Sequence, residues 1–336
     1  MKLPVFSAVL PPLLGLASAT LTPTPTTGRA FTKLPPIYNA SVSQTDFGRP
    51  NSTSGGSYGN VTTTVSTLAQ FTAAVRENMT APAIVVVQGI INGTANVRIA
   101  SNKTIIGLPG SGFDGVGLYF RKQTNLILRN IISANVTAAY GDGLTIENST
   151  NVWVDHCEFY SAQTSDKDRY DGLIDIVHGS DYVTVSNTYF HDHWKASLIG
   201  HSDSNGAQDT GRLHVTYANN YWHSCNSRGP SIRFGTAHIF NSYYVNMSSA
   251  INTRMGAQVL AESNAFRDVR SPITSVDSKE AGYAIALDND LGGRRDAAPA
   301  GNLTAASVAT HYNYTLLGPA AVAARVPGEA GAILKF

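Results

Sequence analysis

The feature that most constrains this sequence is a series of short β-branched and aromatic runs that recurs from Ile84 to about Phe266. Several runs are followed by an asparagine and then, two residues on, by a large apolar residue. These pairs are Asn130 with Ile132, Asn187 with Tyr189, Asn219 with Tyr221, Asn241 with Tyr243, and Asn264 with Phe266. His156 takes the asparagine position between the first two pairs. The later steps are 32, 22 and 23 residues, which indicates a period of about 22 residues with an occasional enlarged loop.

Strands that recur at this step, without hairpin dipeptides between them, predict an all-β fold, the right-handed parallel β-helix. Asparagine suits a repeated corner because it tolerates left-handed backbone geometry, and because its amide can bond to the backbone or to the next asparagine in the stack. Helices are not expected between Ile84 and Phe266. A β-sandwich with incidental asparagines is the alternative.

The segments that flank the repeat predict its two ends. Leu68, Phe71 and Val75 lie at helical spacing, so a short amphipathic capping helix is expected over about 68–77, with Thr67 and Gln70 resembling a capping box. Residues 280–336 break the repeat and are expected to form an irregular segment that packs back along the outside of the coils and caps the C-terminal end. Residues 20–52 indicate an extended lead-in, so a single β-helix domain is expected over 53–336.

The first nineteen residues have the pattern of a secretory signal peptide. A basic start at Lys2 precedes an apolar stretch from Leu3 to Leu16 and an Ala-Ser-Ala ending, which predicts a signal peptide over 1–19 and a secreted, extracellular protein. No later segment has enough uninterrupted apolar residues for a membrane span. N-x-S/T sequons are candidate glycan acceptors in a eukaryotic host, and those in predicted strands are not expected to be used. They lie at Asn39, Asn51, Asn60, Asn78, Asn92, Asn102, Asn135, Asn148, Asn246, Asn302 and Asn313.

Charge and cysteine content exclude several classes of function. Lysine plus arginine number 24 and aspartate plus glutamate 23, so no excess of positive charge is available to bind nucleic acid or an anionic membrane. Cys157 and Cys225 provide neither a disulfide framework nor a CxxC metal spacing, and two buried thiols are favoured over a disulfide. Nothing in the sequence indicates an oligomer, so a monomer is expected.

Three aspartates form the first candidate site. Asp171 and Asp175 lie four apart at the start of a predicted strand, so they share a face, and Asp142 begins the preceding coil. Three converging carboxylates repel one another unless a cation lies between them. Oxygen ligands in an extracellular protein favour calcium. The alternative is that each aspartate is an ordinary turn residue.

Three basic residues form the second candidate site. Lys195 and Arg228 are expected on loops that leave the same side of the solenoid as the aspartates, with Gly229 and Pro230 fixing a turn after Arg228. Arg233 belongs to a strand that resumes at about Ile232. A row of carboxylates and cations in one groove suits a chain of substrate carboxylates that is bridged by metal and held by guanidinium. The alternative is a set of isolated surface cations.

Several motifs resemble the pectate lyases of polysaccharide lyase family 1, over about residues 53–275. They are Val152-Trp-Val-Asp-His156, Asp171-Gly-Leu-Ile-Asp175, Ser180-Asp-Tyr-Val-Thr-Val-Ser186, Lys195-Ala-Ser-Leu-Ile-Gly-His-Ser-Asp203 and Arg228-x-Pro-x-x-Arg233. Ser101-Asn-Lys-Thr-Ile-Ile-Gly107 and Gly55-Gly56 also match. The resemblance implies a right-handed parallel β-helix that cleaves 1,4-linked polygalacturonate by β-elimination with calcium.

By the same resemblance, Asp142, Asp171 and Asp175 correspond to the calcium ligands, Arg228 to the catalytic base, and Lys195 and Arg233 to residues that bind substrate carboxylates. An arginine base is unusual because guanidinium normally stays protonated. Positive charge from calcium, Lys195 and Arg233 would favour the neutral form of Arg228, since like charges disfavour the charged form. An alkaline pH optimum is therefore expected.

Three other functions compete with this interpretation. Pectin lyases share the fold but act on methyl-esterified polymer without calcium, and the three aspartates favour pectate over pectin. A polygalacturonase-type hydrolase would need an aspartate group that serves as acid and base, and its motifs are missing. A non-catalytic carbohydrate-binding solenoid would have no need of Lys195, Arg228 and Arg233.

The histidines and tryptophans have plainer interpretations. His191, His193 and His201 resemble a metal cluster, but structural hydrogen bonding is the favoured role. The tryptophans could include a sugar-stacking platform, but packing in the core or on the flanks is favoured; they are Trp153, Trp194 and Trp222.

Overall fold

A computed structural model describes residues 53–56, 59 and 61–336. The predicted signal peptide and lead-in, over 1–52, lie outside the described residues. The strands in chain order are β1 (Val61–Val65), β2 (Ala83–Val87), β3 (Ile90–Arg98), β4 (Lys103–Gly107), β5 (Gly112–Arg121), β6 (Thr124–Arg129), β7 (Ile132–Ala134), β8 (Leu144–Glu147), β9 (Thr150–Asp155), β10 (Glu158–Tyr160), β11 (Gly172–Val177), β12 (Asp181–Ser186), β13 (Tyr189–Ile199), β14 (His214–Ala218), β15 (Tyr221–Ser227), β16 (Ser231–Arg233), β17 (Thr236–Phe240), β18 (Tyr243–Arg254), β19 (Gln258–Glu262), β20 (Ala265–Thr274) and β21 (Tyr283–Leu287). The helices are α1 (Leu68–Val75), α2 (Gly206–Asp209), α3 (Ala305–Ala309) and α4 (Pro319–Glu329), with a short 3-10 helix at Ala138–Tyr140.

The strands divide between two parallel sheets, and the chain alternates between the two sheets from coil to coil. One sheet has ten strands in the order β1-β2-β4-β6-β9-β12-β14-β17-β19-β21, so each strand pairs with its equivalent in the next coil. The other has eleven strands, among them β5, β8, β11, β13, β15, β18 and β20. This alternation confirms the predicted parallel β-helix. None of the helices that the structure describes has the length and apolar character needed to cross a bilayer.

Aromatic side chains stack inside the solenoid from coil to coil. The stack runs through Phe159, Phe190, Trp222, Tyr244 and Phe266, with ring centroids 5.9, 3.9, 5.8 and 4.6 Å apart. All five rings are at most 2% exposed, and Trp222 therefore packs in the core as expected. A stack of this kind fixes the register of neighbouring coils and gives the outward-facing residues a rigid support.

The corner that follows the ten-stranded sheet carries the predicted polar column. The backbone is left-handed at Asn130, His156, Asn187, Asn219 and Asn241, with φ between 47° and 57°. This confirms the role assigned to these asparagines and to His156.

The prediction for Asn264 is wrong by one residue, because Ser263 has the left-handed backbone in that coil, with φ of 54°. Asn264 belongs to a second, inner column, where it accepts a 2.8 Å hydrogen bond from the amide of Ser242 and donates one of 2.9 Å to the carbonyl of Ile239. The step from Asn241 to its true equivalent is therefore 22 residues.

The short helices only partly follow the predictions. Helix α1 lies within the predicted span, and the Thr67 hydroxyl accepts a hydrogen bond from the amide of Gln70 at 3.3 Å. In a capping box the Gln70 side chain would in turn accept a hydrogen bond from the amide of Thr67. Here it accepts one from the amide of the preceding residue, Ser66, at 2.9 Å. The expectation that no helix lies between Ile84 and Phe266 is wrong at α2 and at the 3-10 helix, which are single turns inside the loops that join strands.

The C-terminal segment begins later than predicted. Residues 283–287 alternate like a strand and form β21, which pairs with β19 and extends the ten-stranded sheet by one coil. The chain then returns along the outside of the solenoid. The Tyr312 hydroxyl lies 2.6 Å from Nδ1 of His238, α4 packs on β18 and β20, and the Leu334 amide donates to the Asn130 side chain at 2.9 Å. A parallel bridge between Ala284 and Ala300 covers part of the last coil.

Candidate active site

Two buried aspartates from adjacent coils meet beside Gly172. Asp142 precedes β8 and Asp175 lies in β11, and the parallel pairing of these strands places Thr145 opposite Asp175. Oδ1 of Asp142 accepts from the Gly172 amide at 2.8 Å, and Oδ2 accepts from the Thr145 hydroxyl at 2.6 Å. Oδ1 of Asp175 accepts from the Leu198 amide at 3.1 Å. Backbone and side-chain donors therefore hold both carboxylates in place.

Gly172 leaves open the space that these carboxylates share. A Cβ atom at this position would lie 2.4 Å from Oδ1 of Asp175 and 2.9 Å from Oδ1 of Asp142. Burial and the negative charge of Asp171 raise the pKa of Asp142, and burial and the charge of Asp142 raise the pKa of Asp175 well above its usual range. Two buried, mutually repelling carboxylates with oxygen donors alone fit a hard divalent cation.

Asp171 lies close to this pair, but its side chain is bound to Lys195. The side chain is 49% exposed, and its Oδ1 accepts from the Lys195 ammonium at 3.2 Å. Its charge nevertheless acts on both Asp142 and Asp175. In the described part of the chain, no three histidine, cysteine, aspartate or glutamate side chains have an arrangement that could hold a metal ion by themselves. The predicted cluster is therefore a close pair with a third carboxylate at its rim.

Lys195 lies in a strand and not in a loop, which corrects the sequence-based prediction. In β13 it pairs with Gly172 of β11 on one side and Ser227 of β15 on the other. Its ammonium also donates to Asp168 at 3.0 Å. Burial alone would lower the pKa of Lys195, but the bonds to Asp168 and Asp171 outweigh it and raise the pKa, so the side chain stays charged.

Arg228 occupies the predicted turn immediately after β15. Its backbone is left-handed, with φ of 63°, and a cis peptide bond joins Gly229 to Pro230. The Arg228 carbonyl accepts from the Ser197 amide at 2.8 Å, and the Gly229 amide donates to Ala250 at 2.8 Å, so the turn is fixed to both neighbouring coils. The positive charge of Arg228 acts to lower the pKa of both Asp142 and Asp175. Among the described residues, its guanidinium takes part in no ion pair.

Arg233 and Arg254 form a second basic group beside this turn. Arg233 lies in β16, and its guanidinium donates to Asp203 at 2.5 Å and to the Gly200 carbonyl at 3.0 Å. Arg254 pairs with it across β16 and β18. Burial, followed by the positive charges of Arg233 and Arg228, lowers the pKa of Arg254 to about 10. Like charge is therefore concentrated around Arg228.

One cavity joins these groups. It has a volume of about 440 Å³. Lys195, which lines it, pairs with Gly172, the residue that lies beside the two buried aspartates. Its charged lining residues are Lys167, Asp168, Lys195, Arg228, Arg254 and Asp277. Trp194 also lines it, with its indole nitrogen donating to the Thr164 carbonyl at 2.9 Å. The predicted basic residues Lys195 and Arg228 therefore share one cavity, whereas Arg233, which is bound to Asp203, is not among its lining residues.

Sequence reasoning missed Asp168 and Arg254. Asp168 lies in an enlarged loop, outside the repeat, and gave no signal. Arg254 could have been found, because it lies one coil after Arg233 in the same register.

The predicted structural hydrogen bonding is borne out for His193, and both cysteine predictions hold, whereas the exposed His201 stacks on His178 with ring centroids 4.7 Å apart. His193 lies 2.6 Å from the Asp171 carbonyl through Nε2 and 2.5 Å from the Ser161 hydroxyl through Nδ1, so it supports the loop that carries Asp171. Burial lowers the pKa of His193 to about 4, and the ring is neutral at pH 7. Cys157 and Cys225 are free, buried thiols.

Comparisons with known proteins decide the family. The pectate lyase family profile matches residues 13–333. The chain belongs to the pectate lyase family. Its relatives include pectate lyase B of Colletotrichum gloeosporioides, 52% identical over 270 residues that make up 80% of each chain. Pectate lyase A of Aspergillus niger is 51% identical over 274 residues, which cover 81% of this chain and 82% of the relative.

Solved pectate lyases have the same fold. A pectate lyase from Bacillus sp. N165, crystallised with trigalacturonate, superimposes with a TM-score of 0.75 and 28% identity over 84% of this chain and 96% of its own. Together with the two fungal pectate lyases, this likeness identifies the chain as an enzyme that acts on polysaccharides.

Proposed function

We propose that this pectate lyase is calcium-dependent and cleaves 1,4-linked α-galacturonan by β-elimination, which leaves 4,5-unsaturated oligogalacturonides. The family and the trigalacturonate bound to the Bacillus relative support an acidic polysaccharide substrate. The observation that carries the proposal is the adjacency of two groups, the buried Asp142–Asp175 pair and the Arg228 cavity, which Lys195 connects.

Asp142, Asp171 and Asp175 would hold the calcium ion. Calcium bound there would neutralise a substrate carboxylate and stabilise the negative charge that develops on it. The fit rests on the oxygen donors, on the burial of Asp142 and Asp175, and on the open space over Gly172. Asp171 can complete such a site from its exposed position at the rim.

Arg228 is proposed as the base that removes the hydrogen at C5, which is acidic because it is α to a carboxylate. A base must be held within reach of that hydrogen, and the hydrogen bonds of Ser197 and Gly229 fix the turn that carries Arg228. Arg233 and Arg254 place further positive charge beside the Arg228 turn, and the charges of Arg233 and Arg228 lower the pKa of Arg254. This arrangement supports the expected alkaline optimum.

Lys195 and Arg233 are proposed to bind substrate carboxylates. Lys195 lines the cavity and carries a full positive charge, so it can exchange its exposed partner Asp168 for a uronate. Arg233 is held by Asp203 and the Gly200 carbonyl, which orients its remaining donors and its charge.

The same features favour pectate over pectin. Neutral methyl esters would provide no charge to pair with Lys195 and no ligand for a cation beside Asp142 and Asp175. We also propose that the protein is secreted after loss of residues 1–19, that 53–336 is one catalytic domain, and that it works as a monomer.

The experiment that tests the metal role is a calcium titration of lyase activity with Asp175→Asn and, as a control, Asp288→Asn on the last coil. The Asp175 variant is expected to need far more calcium for half-maximal activity, while the control matches the wild type. Equal calcium requirements in all three proteins would remove Asp175 from the metal site.

A further inference from the structure

A second cavity adjoins the Arg228 cavity on the side toward the C-terminal end of the solenoid. It has a volume of about 520 Å³ and shares Asn226 with the Arg228 cavity. Its polar and charged lining includes Asn246, Asp268, Arg270 and Arg294. The predicted function assigns nothing to this cavity, or to the Gly292-Gly293-Arg294-Arg295 stretch that interrupts the repeat.

The register of the strands places one wall of both cavities in a single line. Trp194 lies opposite Asn226 of the next coil, because the residues on either side of the two are paired. These pairs are His193–Cys225 and Lys195–Ser227. The Ser248 hydroxyl donates to the Asn226 side chain at 2.9 Å. Arg270 lies opposite Ser248, between the pairs Met247–Val269 and Ser249–Ser271.

The line therefore runs from the Arg228 cavity to Arg270 through residues at equivalent positions of successive coils. Neighbouring residues in it are one coil apart, or about 4.8 Å. They are Trp194, Asn226, Ser248 and Arg270. A step of that size is comparable to the length of one sugar unit, so a polysaccharide chain can present successive units to successive coils.

Arg294 approaches this line from a separate segment. Gly292 and Gly293 have φ of 62° and 75°, and a Cβ on Gly292 would lie 2.6 Å from the Phe266 carbonyl. The turn is closed by a 3.1 Å hydrogen bond from the Arg294 amide to the Leu291 carbonyl. Only glycine fits this close approach in this conformation, and the turn sets Arg294 beside Arg270 in the cavity lining.

The charge of the cavity favours an anion. Arg270 and Arg294 outnumber the one lining carboxylate, Asp268, and within residues 61–336 none of the three takes part in an ion pair. Asn226 and Asn246 supply amide groups of the kind that bind sugar hydroxyls. Guanidinium groups pair with carboxylates in two-pronged hydrogen bonds.

We infer that this cavity binds uronate units of the same galacturonan chain, beyond those held at the Arg228 cavity, with Arg270 and Arg294 pairing with their carboxylates. The inference rests on the proposed action on galacturonan and adds to it a preference for long, unesterified stretches. Arg270 and Arg294 are substrate-binding residues that lie away from the bond that breaks.

The test compares long and short substrates in the double variant Arg270→Ala, Arg294→Ala. Its KM for hexagalacturonate is expected to rise about tenfold, the scale of losing one or two charge-assisted hydrogen bonds, with kcat nearly unchanged and with trigalacturonate kinetics unaffected. The matched control is Arg267→Ala, Arg295→Ala, which removes the neighbouring arginines of the same strand and turn. The Arg270→Lys, Arg294→Lys protein should retain most of the affinity for the long substrate.

A binding measurement keeps this inference separate from the proposed function. Migration in native gels that contain polygalacturonate and a chelator reports binding without turnover. The wild type and the control should be retarded, and the Arg270, Arg294 double variant much less so, even if no lyase activity is found. Equal retardation of all three proteins, or an equal loss of kcat/KM on the trimer and the hexamer, would overturn the inference. Mass spectrometry that finds a glycan on Asn246 would do the same, because the glycan would fill the cavity.

Discussion

The amide of Gly172 donates a 2.8 Å hydrogen bond to Oδ1 of Asp142, although the two residues belong to different coils. This bond fixes one buried carboxylate against the start of the strand that carries the other, Asp175. The parallel register thus brings together groups that lie about thirty residues apart in sequence. The arrangement requires a residue without a side chain between the two carboxylates.

Gly172→Ala should weaken calcium binding while the protein stays folded. The backbone of Gly172 is not left-handed, so alanine fits the strand, but its Cβ would displace the carboxylate oxygens of Asp142 and Asp175. The calcium concentration for half-maximal activity should rise roughly ten- to a hundredfold, as for other residues that support metal ligands. Circular dichroism should match the wild type, and an unchanged calcium requirement would refute this use of Gly172.

Arg228→Lys should abolish most turnover and leave binding intact. Loss of a positioned base lowers kcat by about 10²–10⁴-fold, and lysine keeps the charge while shortening the reach. Steady-state kinetics on polygalacturonate measure kcat, and native gels with the polymer measure binding. Arg325→Ala, on α4 outside both cavities, serves as the control. A variant with more than a tenth of the wild-type kcat would show that Arg228 is not the base.

The pH profile should depend on Arg254. The positive charge of Arg228 is one of the causes that lower the pKa of Arg254, so the two guanidinium groups are close enough to interact. Arg254→Gln removes the charge of Arg254, so the rise of kcat with pH should move to higher pH, whereas Arg254→Lys should leave it near the wild-type position. Profiles that coincide in all three proteins would argue against electrostatic tuning of the base.

Stability should fall on acidification through the buried contact between His238 and Glu262. Nε2 of His238 lies 2.9 Å from Glu262, and burial lowers the pKa of His238 despite that bond. Because the pKa of His238 in the unfolded chain is about 6.5, the unfolded chain takes up a proton at a higher pH than the folded protein does. The contribution of neutral His238 to the free energy of unfolding is therefore fully present above about pH 6.5 and is lost as the pH falls below that value.

Burial alone would raise the pKa of Glu262, but bonds from His238 and Tyr314 lower it overall, and its contribution is lost at still lower pH. Urea midpoints at pH 8 and pH 5.5 should differ less for His238→Gln than for the wild type. The exposed His201→Gln should keep the wild-type difference. An identical pH dependence in His238→Gln would exclude this origin.

The inner polar column should contribute more to stability than the outer one. Asn220 is fully buried, accepts from the Thr188 amide at 2.9 Å and donates to the Val185 carbonyl at 2.9 Å. Asn220→Ala leaves those backbone groups without partners and should lower the free energy of unfolding by about 1–3 kcal/mol. Asn219→Ala, at the more accessible left-handed corner, is the comparison and should cost less in urea unfolding. A larger loss of unfolding free energy in Asn219→Ala than in Asn220→Ala would contradict this interpretation of the two columns.

The repeat was sufficient to predict the fold, because each coil uses the same left-handed corner and the same inward apolar positions. The sequence could not distinguish the two adjacent polar columns, since Asn264 and Asn241 carry the same side chain in different positions. Lys195 was placed in a loop because its strand, β13, is unusually long and polar. Asp168 could not be found, because it lies in the connection between β10 and β11, where the residues follow no repeated sequence pattern.

The most direct test of the account is the ultraviolet absorbance of unsaturated uronide when the purified protein is mixed with unesterified polygalacturonate at alkaline pH. The assay is run with calcium and with an excess of chelator. We predict a rise in absorbance with calcium that chelator abolishes and fresh calcium restores. A rise that persists in chelator and is faster on methylated pectin, or no rise on either polymer, would contradict the account.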